Sequence, residues 1–220
     1  GTMPNLMLTT ACNLQCEYCF AMEMLAGDGN CQYMELPLFR AIMDWVDRGG
    51  MPELTIQLMG GEPTLSPHFF AIVEELQHRG RKVIVFSNGT VPLADAIIKQ
   101  TNAYGVEWVI NINQPDLYPP RLRDNLHNNL AALGQAASLN VNFFSVAHSY
   151  DFVFDYFARF AGKRLLKIGI AHPVATKRNT YIAPALWPQL RVILDDFFAK
   201  AQAANIHLAT ECGVPACLFK

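Results

Sequence analysis

The chain has 220 residues, 51% of them apolar, enough to bury a substantial core and of a length that fits one domain. Its 17 Lys and Arg stand against 19 Asp and Glu, a formal net charge of −2, which gives no footprint for nucleic acid. Apolar runs are broken by charges and prolines before the roughly 18 residues that a membrane span needs.

The first element is a short apolar strand, Leu6 to Leu8, followed at once by Cys12, Cys16 and Cys19 in a C-x3-C-x2-C run. Thiolates spaced this closely on a loop turn onto one soft metal centre. A disulfide reading fits poorly, because close neighbours make poor bridge partners and three is odd; with no signal peptide legible, the chain reads as cytoplasmic and reducing. Structural zinc remains an alternative, with Cys31 as the fourth ligand.

A helix follows on the stripe Leu38, Ala41, Ile42 and Trp45, then a strand over Leu54 to Leu58 that ends in Met59-Gly-Gly-Glu-Pro-Thr64. Taken alone, Gly60-Gly61-Glu62-Pro63 reads as a turn. Ser66 and Pro67 suit the start of a helix carrying Phe69, Ile72, Val73 and Leu76, and Gly80 suits its end. Further strands are read at Lys82 to Phe86, Trp108 to Ile112, Val141 to Val146 and Leu165 to Ile170. Between them lie helical stripes, one over Leu122, Leu126, Leu130, Leu133 and Ala137. The last, opened by Pro188, carries Leu190, Ile193, Leu194, Phe197 and Ala201. The aromatic residues of these stripes are expected in the core, and Lys163, Arg164, Lys167, Lys177 and Arg178 on a solvated face.

Six β/α repeats make an α/β fold with a parallel sheet. In such folds chemistry gathers where strands end. Those ends are the cysteine loop, Gly60 to Pro63, Ser87-Asn88-Gly89-Thr90, Asn111 to Gln114, Ala147-His148-Ser149 and Ala171-His172-Pro173-Val174. Asn111 and Asn113 share a face by strand alternation, so both amides can reach one ligand if that face points inward. His148 and His172 read more simply as hydrogen-bonded structural residues than as substrate contacts.

The cysteine triplet with Tyr18 before its last member, taken together with Gly-Gly-Glu-Pro, resembles the radical S-adenosylmethionine superfamily from Leu6 to about Thr210. The resemblance implies a partial (β/α)6 TIM-like barrel and a [4Fe–4S] cluster held by Cys12, Cys16 and Cys19. One iron would be left for the amino and carboxylate groups of S-adenosylmethionine. It implies reductive cleavage to a 5′-deoxyadenosyl radical that abstracts hydrogen from a substrate. It also implies an electron donor such as a flavodoxin or ferredoxin. Tyr18 is expected near the adenine, Gly60, Gly61, Glu62 and Pro63 at the methionine end, and Ser87, Asn111 and Asn113 at the ribose and carboxylate. The glycine-containing adenine motif of many members is missing around Asn140 to His148.

After an apolar segment at Ile206 to Ala209, Cys212 and Cys217 resemble the opening of a SPASM or twitch auxiliary-cluster extension, so residues 1–210 read as the core domain and 211–220 as an incomplete extension. On this reading the chain is truncated, with Gly1-Thr2 a cloning remnant before Met3, and a peptide or protein is the expected substrate. A catalytically silent cluster-binding module is the alternative in the same family.

Overall fold

The computed structural model describes residues 4–25, 30–50, 54–160, 162–176 and 178–210. Seven strands alternate with six helices: β1 (Asn5–Met7), α1 (Leu36–Arg48), β2 (Ile56–Met59), α2 (Phe69–His78), β3 (Val83–Ser87), α3 (Asp95–Tyr104), β4 (Glu107–Asn111), α4 (Pro120–Leu133), β5 (Ala137–Phe143), α5 (Phe152–Arg159), β6 (Leu165–Ile170), α6 (Trp187–Ala203) and β7 (His207–Thr210). All pairs are parallel and spatial order follows chain order, so every connection is a β-α-β crossover. Among the described residues β1 and β7 do not pair, which leaves a partial barrel with one open side.

The six β/α repeats expected are present, and the apolar segment at Ile206 to Ala209 adds a seventh strand at the edge of the sheet. Strand β5 starts earlier than its apolar run suggests, at Ala137, directly after the 3-10 turn Gly134–Ala136 that ends α4. It stops at Phe143, because the Tyr150 hydroxyl accepts hydrogen bonds from the Phe144 and Ser145 amides and turns the chain out of the sheet. The loop after β5 therefore begins at Phe144, ahead of the expected Ala147. Ser66 does not cap α2. It closes the 3-10 turn Pro63–Leu65, and α2 begins at Phe69.

Alternation divides the sheet faces. Leu58, Val85, Ile110, Val141 and Ile168 point outward into the helices and are buried in one continuous core with Met43, Ile72, Leu126 and Phe197. Helix α1 turns a different stripe inward from the one read: Phe39, Met43 and Val46 are buried, whereas Leu38 and Trp45 are 56% and 66% exposed. Both stripes have helical spacing, and only packing against the sheet chooses between them. The basic cluster is also divided. Lys163 pairs with Glu107, Arg164 reaches the Ala204 and Asn205 carbonyls, and Lys167 turns into the barrel. No helix among the described residues is long and apolar enough to cross a membrane.

Two glycines with the same backbone conformation separate strain from crowding. Gly80 and Gly89 both have φ +69°, but a Cβ at Gly80 meets nothing within 4 Å, whereas one at Gly89 falls 2.8 Å from Leu126 Cδ1 and 2.9 Å from Ile110 Cγ2. Gly80→Ala is expected to cost about 1–2 kcal/mol from the left-handed backbone alone. Gly89→Ala should add a further ~1–3 kcal/mol of overpacking. Urea denaturation of the two variants measures the difference.

Candidate functional site

The cysteine loop leaves β1 and lies across the strand ends because the glycines after β2 admit its backbone. Gly61 N donates to Thr9 O at 2.9 Å and Glu62 N to Ala11 O at 2.7 Å. A Cβ on Gly60 would stand 2.6 Å from Thr9 O, and one on Gly61 2.2 Å from Ala11 O. No side chain fits in those gaps. Gly-Gly is thus needed first for seating the cysteine loop, before any ligand is considered.

Glu62 then ties this pair of loops to a third. Its carboxylate is fully buried and accepts from Thr64 Oγ1 at 2.6 Å, Thr64 N at 3.2 Å, Ser87 Oγ at 2.8 Å and Asn88 N at 2.7 Å. Burial pushes its pKa up and the donors pull it down, with a net rise. Asn88 carries the connection onward, donating to Asn13 Oδ1 at 2.9 Å and lying 4.0 Å from Cys12 Sγ.

Tyr18 fastens the far end of the loop. Its hydroxyl donates to Asn113 Oδ1 at 2.5 Å and accepts from Asn111 Nδ2 at 2.8 Å, and its ring stacks on Phe144 at 4.8 Å between centroids. Its carbonyl accepts from the buried Asn179 at 3.2 Å, in the loop after β6, where Thr180 N also donates to Glu17 O at 2.7 Å. The cysteine loop is therefore held by contacts from β2, β3, β4, β5 and β6.

Beneath it lies a cavity of about 450 Å³ rimmed by Cys12, Cys16, Cys19, Gly60 and Gly61. Asn111, Asn140 and Asn142 line its wall; the amides of the last two both donate to Asn111 Oδ1, at 2.8 and 2.9 Å. A second cavity of about 300 Å³ adjoins it behind Cys16, Tyr18 and Asn113. All three cysteines are free and half-buried. Burial, followed by the neighbouring Cys12 and Cys19 thiols, pushes Cys16 up to about 11, and burial also raises Cys12 and Cys19. Bound iron reverses that preference by stabilising thiolates.

The donor set fits an iron–sulfur cluster: three soft ligands on one rim, with the Asn88 and Asn113 amides 4.0 and 3.8 Å from the Cys12 and Cys16 sulfurs. Among the described residues no three His, Cys, Asp or Glu side chains form a set for a single metal ion, and Cys31 does not line the cavity.

The structure brings Tyr18, Gly60, Gly61, Ser87 and Asn111 to this cavity and places Asn113 at its neighbour. Glu62 and Pro63 are buried behind the wall and do not line either space, and the Ser87 hydroxyl is occupied by Glu62 and Gly89 N. His172 lines the cavity, whereas His148 packs on Phe144 outside it. Cys212 and Cys217 lie outside the described residues. Sequence reading placed Asn88 only within the strand-end run 87–90 and passed over Asn140, Asn142, Phe144 and Asn179 as site residues. The signal for Asn140 and Asn142 was present, as two amides at alternate positions of an otherwise apolar strand.

The model of the radical SAM superfamily matches residues 6–126, and the chain belongs to that superfamily, whose members use a [4Fe–4S] cluster and S-adenosylmethionine. The chain is 37% identical over 106 residues to a tungsten-containing aldehyde ferredoxin oxidoreductase cofactor-modifying protein of Pyrococcus furiosus, covering 47% of this chain and 28% of that protein. It is 34% identical over 89 residues to an S-adenosylmethionine-dependent nucleotide dehydratase of Selenomonas ruminantium, covering 40% and 30%. The chain thus spans under a third of the curated relatives it matches. Streptococcus suis SuiB bound to S-adenosylmethionine shares the fold with a TM-score of 0.69 at 13% identity, over 94% of this chain and 49% of SuiB.

Glu62→Gln turns an amide NH2 toward donors that need an acceptor. The expected loss is about 1–3 kcal/mol of stability in urea denaturation. Because Asn88 links this carboxylate to the cysteine loop, faster alkylation of Cys12 in the metal-free variant is the accompanying signature.

Proposed function

We propose that this chain is the radical-generating core of an S-adenosylmethionine-dependent enzyme that acts on a peptide or protein. The observation that carries the reading is the meeting of three half-buried cysteines, the Gly60–Gly61 turn and the asparagines of β4 and β5 around one cavity. Cys12, Cys16 and Cys19 would hold the [4Fe–4S] cluster. When bound, the cluster and S-adenosylmethionine supply the electron transfer and the 5′-deoxyadenosyl radical that removes a hydrogen atom from substrate.

The protein's part is to bind, orient and shield. Gly60 and Gly61 present backbone to the cavity next to the cysteines, where the methionine end of the cofactor is expected. Tyr18, Asn111 and Asn113 form one hydrogen-bonded unit, so their polar atoms are preorganised rather than free to rotate. Glu62, Pro63 and Ser87 act behind the cavity wall by fixing the turn. The loop of Asn179 and Thr180 covers the cysteine loop and restricts water at that edge.

A peptide substrate is supported by the open side of the sheet and by the shared fold with SuiB, which has been crystallised with its precursor peptide SuiA. Residues 1–210 serve as the core, and residues 211–220, with Cys212 and Cys217, as the start of an auxiliary-cluster extension. A flavodoxin or ferredoxin is the proposed electron donor.

Anaerobic reconstitution with iron and sulfide, followed by dithionite and S-adenosylmethionine, tests the reading. The expected result is about four irons per chain and formation of 5′-deoxyadenosine. Cys16→Ala should abolish both, whereas Cys31→Ala should keep its iron. Zinc binding that depends on Cys31, or a full cluster without S-adenosylmethionine cleavage, would overturn it in favour of a structural protein or a silent module.

A further inference from the structure

Between helices α4 and α5, in the outer layer of the fold, lies a groove of about 390 Å³ that shares no lining residue with the cysteine cavity or its neighbour. Arg123 and His127 enter it from successive turns of α4, Tyr156 and Arg159 from α5, and Phe160 closes its end. The His127 ring lies 6.0 Å from the Tyr156 ring and 5.3 Å from the Phe160 ring, between centroids. Arg159 stands over Phe160, its guanidinium carbon 5.4 Å from the ring centroid.

Tyr156 is the unusual member of this group. It is 4% exposed, yet its hydroxyl has no hydrogen-bond partner, and a buried phenol without an acceptor is costly. That oxygen faces the arginine end of the groove, since both guanidiniums act on it: burial pushes its pKa up to about 12 while Arg123 and Arg159 pull it down. The same two cations act on His127, whose pKa is lowered by burial first, then by Arg159 and Arg123, with Asp124 offsetting them in part. Its imidazole is therefore neutral near pH 7. Arg123 makes no hydrogen bond or ion pair among the described residues.

A phenol O–H and two guanidiniums are donors only toward an anion, and together they call for an anionic oxygen group. Asp124 and Asp155 also line the groove, but both are exposed, and among the described residues neither accepts a hydrogen bond from these donors. Their charges oppose a dianion more than a single negative charge, which favours a carboxylate over a phosphate.

We infer that this groove is a binding site for the carboxylate of a small molecule, with Tyr156 Oη and Arg123 donating at its base, the exposed Arg159 at its mouth, and the Phe160 and His127 rings against the body of the ligand. The site is separate from the cysteine cavity and depends neither on the radical chemistry nor on a peptide substrate.

The test is an NMR titration of the reconstituted full chain carrying ring-labelled tyrosine and histidine, with S-adenosylmethionine present and ionic strength held constant. Propionate is compared with the neutral propionamide. Propionate is expected to shift the Tyr156 and His127 resonances saturably and to bind about tenfold tighter than propionamide, the size of one charged hydrogen bond. Bound propionate should also raise the His127 pKa, because an anion beside an imidazole favours its protonated form. Arg123→Met should erase the gap between the probes, with circular dichroism showing the variant folded. Tyr156→Phe should weaken propionate severalfold and leave the urea midpoint no lower than wild type, because the hydroxyl removed has no partner to lose. Equal binding of the two probes, a gap that survives Arg123→Met, or wild-type propionate affinity in Tyr156→Phe overturns the inference. A lowered urea midpoint in Tyr156→Phe also overturns it, by showing that the hydroxyl already has a partner. Inorganic phosphate binding tighter than propionate overturns the choice of a carboxylate.

Discussion

The architecture of this protein hinges on a contact between two backbones. The turn after β2 approaches the loop after β1 so closely that Thr9 O and Ala11 O occupy the space where Cβ atoms of residues 60 and 61 would be. Two amide hydrogen bonds close the gap, and the Glu62 carboxylate, buried directly behind, gathers donors from its own turn and from the loop after β3. A buried carboxylate without such partners would be costly, so the donors and the acceptor stabilise each other's position. The cysteines inherit their location from this arrangement, because the loop that carries them has no regular structure of its own.

From that seat the loop is stretched over the barrel mouth and pinned again at Tyr18. One residue there joins the amides of Asn111 and Asn113 at the end of β4, the ring of Phe144 after β5 and, through its backbone carbonyl, Asn179 after β6. Buried networks of this kind are stable only when each member is satisfied, and here Tyr18, Asn111 and Asn113 satisfy one another. The consequence for function is rigidity where ligands are to be held, while the space below is lined mostly by apolar side chains, with the amides of Asn111, Asn140 and Asn142 on one wall, and the sheet is open at one side.

The two faces of the sheet show why these roles do not conflict. Outward residues build an apolar core with the helices and carry stability, leaving inward positions of β4 and β5 free to be Asn. Asn111, Asn140 and Asn142 would be poor choices in a closed, dry barrel. In a partial barrel with a ligand-sized space they form a polar strip in an otherwise largely apolar lining.

Local sequence determined the alternation of strands and helices, the parallel sheet and the cysteine triplet with its Gly-Gly-Glu-Pro partner, since periodicity, turn residues and ligand spacing act within short stretches. It left α1 with two apolar stripes, and only packing selected Phe39 over Leu38 and Trp45. It showed Glu62 as a candidate for the cofactor, and tertiary structure placed it behind the wall, because its partners Ser87 and Asn88 come from another strand. Asn140, Asn142 and Asn179 could not be connected to the cysteines from the chain alone. They reach the site only when β5 and β6 register against β4 and their loops fold over Tyr18, and register is a property of neighbouring strands rather than of any one of them.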